Sequence, residues 1–150
     1  MKKFFILLLA ALVCSFAAAQ GQTYPISHYR LGIVQGGSAE NLNNSSARRR
    51  NTLTSEISYT RKTPVEASIN IDEQTGDVLL AGPQANHYRV DFVQGQAWTP
   101  ASRGRKFQTC TGKDESNNLD ILFERIIDKD GHLIEVSVFG GSNVATYSIR

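Results

Sequence analysis

Apolar and polar residues alternate with a period of two along much of this chain of 150 residues. Between Leu53 and Ile71 the large apolar residues stand at odd positions and polar residues at most even positions, with Pro64 dividing the run. Such alternation is typical of a strand that has one buried and one solvated face. No segment of ten or more residues has a convincing helical period of 3.6. The sequence therefore predicts an all-β fold.

Short turn sequences separate the predicted strands. Residues 72–77, which include Gly76, and residues 128–131, which end in Asp-Gly, are typical of hairpin turns. Residues 119–127 are apolar enough to allow a helix, but the hairpin turn after them favours a strand. The predicted strands are residues 23–34, two runs within 53–71, 78–81, 87–93, 106–111, 119–127, 133–139 and 144–149.

This order predicts an antiparallel meander of about eight or nine strands, as no crossover helix separates them. The meander either closes into a small lipocalin-like barrel or folds as a two-layer sandwich. Pairing of the last strand with the first would remove the open sheet edges that promote aggregation.

The N-terminus has the pattern of an export signal. Lys2 and Lys3 precede an apolar run over residues 4–13, and three alanines follow at residues 17–19. We expect residues 1–19 to be removed as a signal peptide and residues 20–150 to form a single exported β-domain. Its expected location is the periplasm or the outside of the cell.

The two cysteines fall on opposite sides of the expected cleavage point. Acylation of Cys14 would make a lipoprotein, but the β-branched Val13 beside it favours cleavage after the alanines instead. Cys110 would then be the only thiol of the mature protein, so an intramolecular disulfide is excluded. It has no sequence signature of a nucleophile, which favours a structural role.

Charge argues against a nucleic-acid partner. The whole chain has 16 Lys and Arg against 14 Asp and Glu, and loss of Lys2 and Lys3 leaves a neutral mature protein. Nucleic-acid binding usually needs a concentrated positive surface. No segment after the signal is apolar enough to predict a transmembrane helix.

Two features are candidates for binding. Residues 35–51 form a predicted long polar loop that contains Arg48, Arg49 and Arg50, and three guanidinium groups could hold an anionic partner. Trp98, in a predicted loop over residues 94–105, is one of several aromatic residues that could line a pocket or fill the core.

The sequence offers no catalytic or metal-binding motif, and no cofactor is predicted. His28, His87 and His132 stand far apart, without a His or Cys at metal-ligand spacing. Asp128 and Asp130 are spaced like the start of a calcium loop, but its later ligands are missing and a plain hairpin turn is favoured.

The order of features resembles that of a functionally uncharacterised group of small exported all-β proteins of Bacteroidetes-type bacteria. The resemblance implies an exported β-domain and carries over no catalytic or binding residue. The features that carry it are the Lys2-Lys3 signal, Thr23-Tyr24, Tyr29 with Leu31, residues 69–72, residues 88–90, Phe107 with Cys110, residues 131–136 and residues 147–149.

The leading functional interpretation is a non-catalytic binding or interaction domain. It would recognise a small apolar ligand or a protein partner through a barrel mouth or through the polar loop. Two alternatives stay open at this stage. One is an enzyme whose histidines and carboxylates meet only in three dimensions, and the other is a structural component of the cell envelope.

Overall fold

The computed structural model describes residues 21–34 and 57–150. The predicted signal peptide, the polar loop and Arg48, Arg49 and Arg50 lie outside the described residues. Ten strands are present in the described part: β1 Gln22–Val34, β2 Ile57–Tyr59, β3 Thr63–Ile71, β4 Asp77–Ala81, β5 Asn86–Val90, β6 Thr99–Pro100, β7 Lys106–Asp114, β8 Leu119–Ile127, β9 Leu133–Gly140 and β10 Asn143–Ile149.

Eight of these strands close into an antiparallel barrel. The strands follow one another in the order β1, β3, β4, β5, β7, β8, β9 and β10, and β10 pairs with β1 to complete the ring. β2 pairs with the end of β1, and β6 pairs with the start of β7. The all-β prediction is confirmed, and closure through the first and last strands selects the barrel over the sandwich.

Inward-facing side chains fill the middle of the barrel. Ile69, Phe123 and Val136 are fully buried there, which is the ordinary arrangement for a barrel of eight strands. The buried residues of this core are Ile26, Ile69, Ile71, Val78, Leu80, Tyr88, Val90, Cys110, Ile121, Phe123, Val136, Val138 and Tyr147.

A smaller apolar cluster lies on the outer wall and explains the position of β2. Ile57 and Tyr59 of β2 pack against buried residues of β1, β8, β9 and β10. Gly32 lies beneath them, and a Cβ there would come within 3.0 Å of both side chains. The buried residues of the cluster are Val34, Leu122, Phe139 and Val144.

Two predicted strand ends are wrong by three residues, and one predicted loop contains regular structure; these differences lie near β5 and β7. β5 ends at Val90 rather than at Val93, because its regular pairing with β7 stops at Val90 and Gly112, although the Asp91 N–H still bonds the Thr111 carbonyl. β7 continues to Asp114 because both neighbouring strands pair with its end. The predicted loop over residues 94–105 contains β6 and a 3-10 turn at Ser102–Gly104.

The predicted hairpin at residues 72–77 is confirmed. Asp72 accepts hydrogen bonds at Oδ1 from the N–H groups of Gln74 and Thr75. Gly76 has φ of 81°, a left-handed conformation that glycine adopts without the strain a side chain would add.

The barrel has two different ends. We call the end that holds Val34 and the β4–β5, β7–β8 and β9–β10 turns the mouth. The lower end holds the β3–β4 and β8–β9 turns. β3 pairs with β4 only through Ser68–Ile71, so β3 continues toward the mouth beyond the short β4–β5 hairpin. The barrel wall is therefore lowest at that hairpin.

Candidate functional site

Among the described residues, the mouth is an open, largely apolar concavity of about 590 Å³. Leu31, Ile33 and Leu119 lie on its walls and are 45%, 57% and 44% exposed. They make up half of the exposed large hydrophobic residues in the described part of the chain. The apolar residues on the inward side of this lining are Leu31, Ile33, Leu119, Ile121, Val138 and Ala145.

The exposure of Leu31 and Ile33 follows from the shape of the barrel. Both belong to the inward-facing row of β1, since Leu31 pairs with Ala145 and Ile33 with Asn143 of β10. At this height the β4–β5 hairpin has already turned back, so no strand among the described residues stands opposite them to cover their side chains. Converging exposed apolar side chains are a mark of a binding surface rather than of an ordinary solvated wall.

A buried carboxylate lies at one side of the mouth. Asp114 accepts hydrogen bonds from the Asn86 Nδ2 at 3.0 Å and from the Asn117 Nδ2 at 2.9 Å. The backbone N–H groups of Ser116 and Asn117 also donate to it. Burial alone raises the pKa of Asp114, but the hydrogen bonds from Asn117, Asn86 and Ser116 outweigh it and hold the pKa below its usual value. Asp114 is therefore ionised at neutral pH.

Two tyrosines connect the mouth with the core. Tyr88, which lines the mouth, and Tyr147 are both buried, and their side chains act on each other's pKa. Burial raises the pKa of both phenols, so each keeps its proton and can act as a hydrogen-bond donor.

At the lower end, a buried arginine packs between aromatic rings. The Arg125 guanidinium lies 4.8 Å from the ring centre of Phe92 and 5.1 Å from that of Trp98. Its Nε donates to the Gln108 Oε1 at 2.8 Å, and its Nη1 donates to the Glu73 Oε1 at 2.6 Å. Favourable cation–π contact and a charge-assisted hydrogen bond together hold this group in place.

These contacts cover the lower end of the barrel. Phe92 also meets the core Phe123 edge to face, with ring centres 5.8 Å apart. Trp98, a candidate binding residue from the sequence, thus packs over Arg125 at the end opposite the mouth. Of the candidate binding residues, it is the one that the described part of the chain contains.

Two further concavities lie on the outer wall. One, of about 670 Å³, is found where β5 separates from β7, and Arg89, Lys113 and Asp120 stand across it in one cross-strand row. The other, of about 610 Å³, is lined by Arg61 and Lys62 among others. Charged side chains of this kind are typical of the solvated face of a sheet, although the first concavity also has an apolar part at Phe92 and Val93. The mouth differs from both in that three exposed apolar side chains converge on it.

The three histidines lie on different elements. His28 is on β1, opposite Pro64 and Ser148. The His87 Nε2 lies 2.8 Å from the Asp77 Oδ1 on the outer wall, and the His132 Nδ1 lies 3.3 Å from the Asp128 Oδ2. Each histidine of the described structure thus has its own neighbours, and the hypothesis of an enzyme site stays untested.

The β8–β9 turn brings together Asp128, Asp130 and His132, whose possible ligand atoms lie within 4.8 Å of one another. Asp128 accepts hydrogen bonds from the N–H groups of the other two, which is the geometry of the predicted hairpin turn. The side-chain and backbone contacts of Asp128 thus have a structural role in the turn.

Cys110 is a free, buried thiol. Burial raises its pKa to about 11, so the nucleophilic thiolate is scarce at neutral pH. This environment supports the structural role that the sequence favours.

Sequence reasoning missed the most informative residues of both ends. Arg125 stands two residues after the core Phe123, so its side chain belongs to the inward-facing row of β8. This spacing could have identified Arg125 as a buried charge. Asp114 lies beyond the predicted strand of residues 106–111, although it continues the inward-facing row of Cys110 and Gly112. The sequence says less about the mouth. Alternation predicts that Leu31 and Ile33 face inward, but it does not predict how far the opposite strands of the barrel extend.

The arrangement defines a closed antiparallel barrel with a covered lower end and an open apolar mouth. In the described part of the chain, no helix has the length and apolar character needed to span a membrane. Comparisons with models of protein families, with curated proteins and with solved structures find no match. The resemblance to small exported β-proteins therefore stays a prediction.

Proposed function

We propose that this chain is an exported, non-catalytic binding protein that takes a small, mostly apolar ligand at the mouth of its barrel. The observation that carries the proposal is the convergence of Leu31, Ile33 and Leu119, all substantially exposed, around one concavity. Its volume of about 590 Å³ falls within the range of small-molecule sites.

The polar groups of the mouth fit the same function. Ligand sites typically combine apolar walls with a few well-placed polar groups that orient the ligand. Here Asp114, Asn86 and Tyr88 supply those groups on one side, and Asn86 holds Asp114 by a hydrogen bond. The packed core and the covered lower end support recognition at the mouth rather than passage through the barrel.

The test measures binding of the neutral fluorophore N-phenyl-1-naphthylamine and its displacement by decanol. We expect the fluorophore to brighten on the full mature chain. Ile33→Glu should weaken binding at least about tenfold, because it replaces apolar contact area with a charge. Recovery of the displaced ligand unchanged would agree with a non-catalytic role.

Leu79→Glu is the matched control. Leu79 is 47% exposed, close to the value for Leu31, but it faces outward from β4 between Asn70 and His87. Its replacement should leave binding unchanged. Equal loss in both variants, or no binding by the wild-type chain, would contradict a site at the mouth.

A further inference from the structure

The electrostatics of the mouth distinguish between kinds of ligand. Among the described residues that line it, Asp114 is the one carboxylate, and none is Lys, Arg or His. The side-chain and backbone groups that hydrogen-bond Asp114 are neutral amides of Asn86, Ser116 and Asn117. Amide hydrogen bonds hold the carboxylate in place, but they do not cancel its negative charge.

We propose that the mouth binds amphipathic molecules whose polar end is neutral or cationic, such as long-chain alcohols and amines, and that it discriminates against long-chain carboxylates. This inference rests on the proposed function and adds the class of ligand to it. An apolar tail would contact Leu31, Ile33 and Leu119, and the polar end would face the side of the mouth that holds Asp114.

The physical reason is repulsion between like charges in a partly desolvated site. A ligand carboxylate seated beside Asp114 loses hydration and gains no cationic partner from the described lining. At an effective dielectric constant between those of protein and water, we expect about a tenfold loss of affinity relative to the alcohol. Salt should reduce this difference, because it screens the interaction.

The experiment compares decanol, decylamine and decanoate, which share a tail length and differ in the charge of the polar end. Each displaces N-phenyl-1-naphthylamine from the full mature chain at neutral pH and low salt. We expect decanol and decylamine to displace the fluorophore at concentrations about tenfold lower than decanoate. Decanoate binding as tight as that of decanol would overturn the proposal.

Two variants locate the effect. Asp114→Asn removes the charge and should bring decanoate within about twofold of decanol, but it also removes a hydrogen-bond acceptor from the turn. Asn143→Lys at the exposed rim avoids that problem, and it should tighten decanoate binding about tenfold and leave decanol unchanged. Asn143→Gln is its neutral control. An equal effect of Lys and Gln at this position would count against an electrostatic mechanism.

The outcomes separate the two proposals. If none of the three ligands displaces the fluorophore and the fluorophore itself does not bind, the proposed function fails. If all three bind equally well and Ile33→Glu abolishes binding of each, the site at the mouth stands and the charge selectivity fails.

Discussion

At the scale of single residues, the absence of a side chain at Gly95 decides how closely residues 91–98 approach the barrel. A Cβ at Gly95 would lie 2.6 Å from the Sγ of Cys110, well inside contact distance. The N–H of the next residue, Gln96, bonds the Thr109 carbonyl at 3.0 Å and fixes the segment against β7. The thiol and the glycine are therefore a packed pair.

This packing predicts a strong coupling between two substitutions. Gly95→Ala should lower the free energy of unfolding by about 1–3 kcal/mol, because the methyl group overpacks the site. In the Cys110→Ala background the same change should cost less, since the sulfur atom is gone. Guanidinium unfolding of the wild type, both single variants and the double variant measures the coupling. Strictly additive costs would show that the close approach is relaxed elsewhere.

At the scale of elements, the lower end is assembled from four separate segments, including β7 through Gln108, that meet at one side chain. The β3–β4 turn contributes Glu73, β8 contributes Arg125, and the segment between β5 and β6 contributes Phe92 and Trp98. The two partners of the ion pair are unequal, because the Arg125 side chain is 9% exposed and that of Glu73 is 60% exposed. The energetic role of the arginine therefore lies mainly in its packing and its bond to Gln108.

The unequal burial predicts unequal costs of substitution. Glu73→Gln should lower stability by under about 1 kcal/mol, as expected for an ion pair whose acid is solvated. Arg125→Gln should lower it by about 2–4 kcal/mol, because it removes packing between two rings and leaves the Gln108 oxygen without its donor. It should also shift the emission of Trp98, which is the single tryptophan of the chain.

Urea unfolding followed by both circular dichroism and tryptophan emission measures these effects. Arg89→Gln is a suitable control, because the Arg89 side chain is also paired with an acid, Asp77, but is largely exposed. A loss for Arg125→Gln no greater than for the control would contradict a structural role at the lower end.

At the scale of the whole molecule, pattern in the sequence determines strands well and sites poorly. Alternation and hairpin turns predict residues 119–127 as a strand because both are local signals. The cost of open edges gives a reason for β1 to pair with β10, but the sequence left the barrel and the sandwich as alternatives. The shape of the mouth depends on how far each strand extends beyond its neighbours at that end of the barrel. That extent is set by non-local register, which no single segment contains.

The same principle explains why polar residues were placed less well than apolar ones. Arg125 and Asp114 occupy inward-facing positions that alternation alone would assign to apolar residues. Each is accommodated by partners distant in sequence, Glu73 and Gln108 for the arginine and Asn86 for the aspartate. A buried charge becomes recognisable only when the elements that satisfy it are brought together.

The distribution of aspartates predicts how the whole barrel responds to acid. Hydrogen bonds lower the pKa of three of them in the folded state. A hydrogen bond with the His87 side chain lowers the pKa of Asp77, and one from the His132 backbone N–H lowers the pKa of Asp128. At Asp114, hydrogen bonds from Asn117, Asn86 and Ser116 lower the pKa by more than burial raises it. A carboxylate whose pKa is lower in the folded than in the unfolded state stabilises the fold above its unfolded pKa. This contribution disappears as the pH falls through the folded pKa.

We therefore expect the melting temperature to change little from neutral pH down to about the ordinary aspartate value of 3.8, and to fall steeply below it. Thermal unfolding followed by circular dichroism across this range measures the transition. Asp77→Asn and Asp114→Asn should be less stable than the wild type at neutral pH and should converge with it in acid, because protonation has by then removed the same charge from the wild-type protein. A wild-type melting temperature that declines already near neutral pH, or variants that stay equally far below it at every pH, would show that other groups control the stability of the barrel in acid.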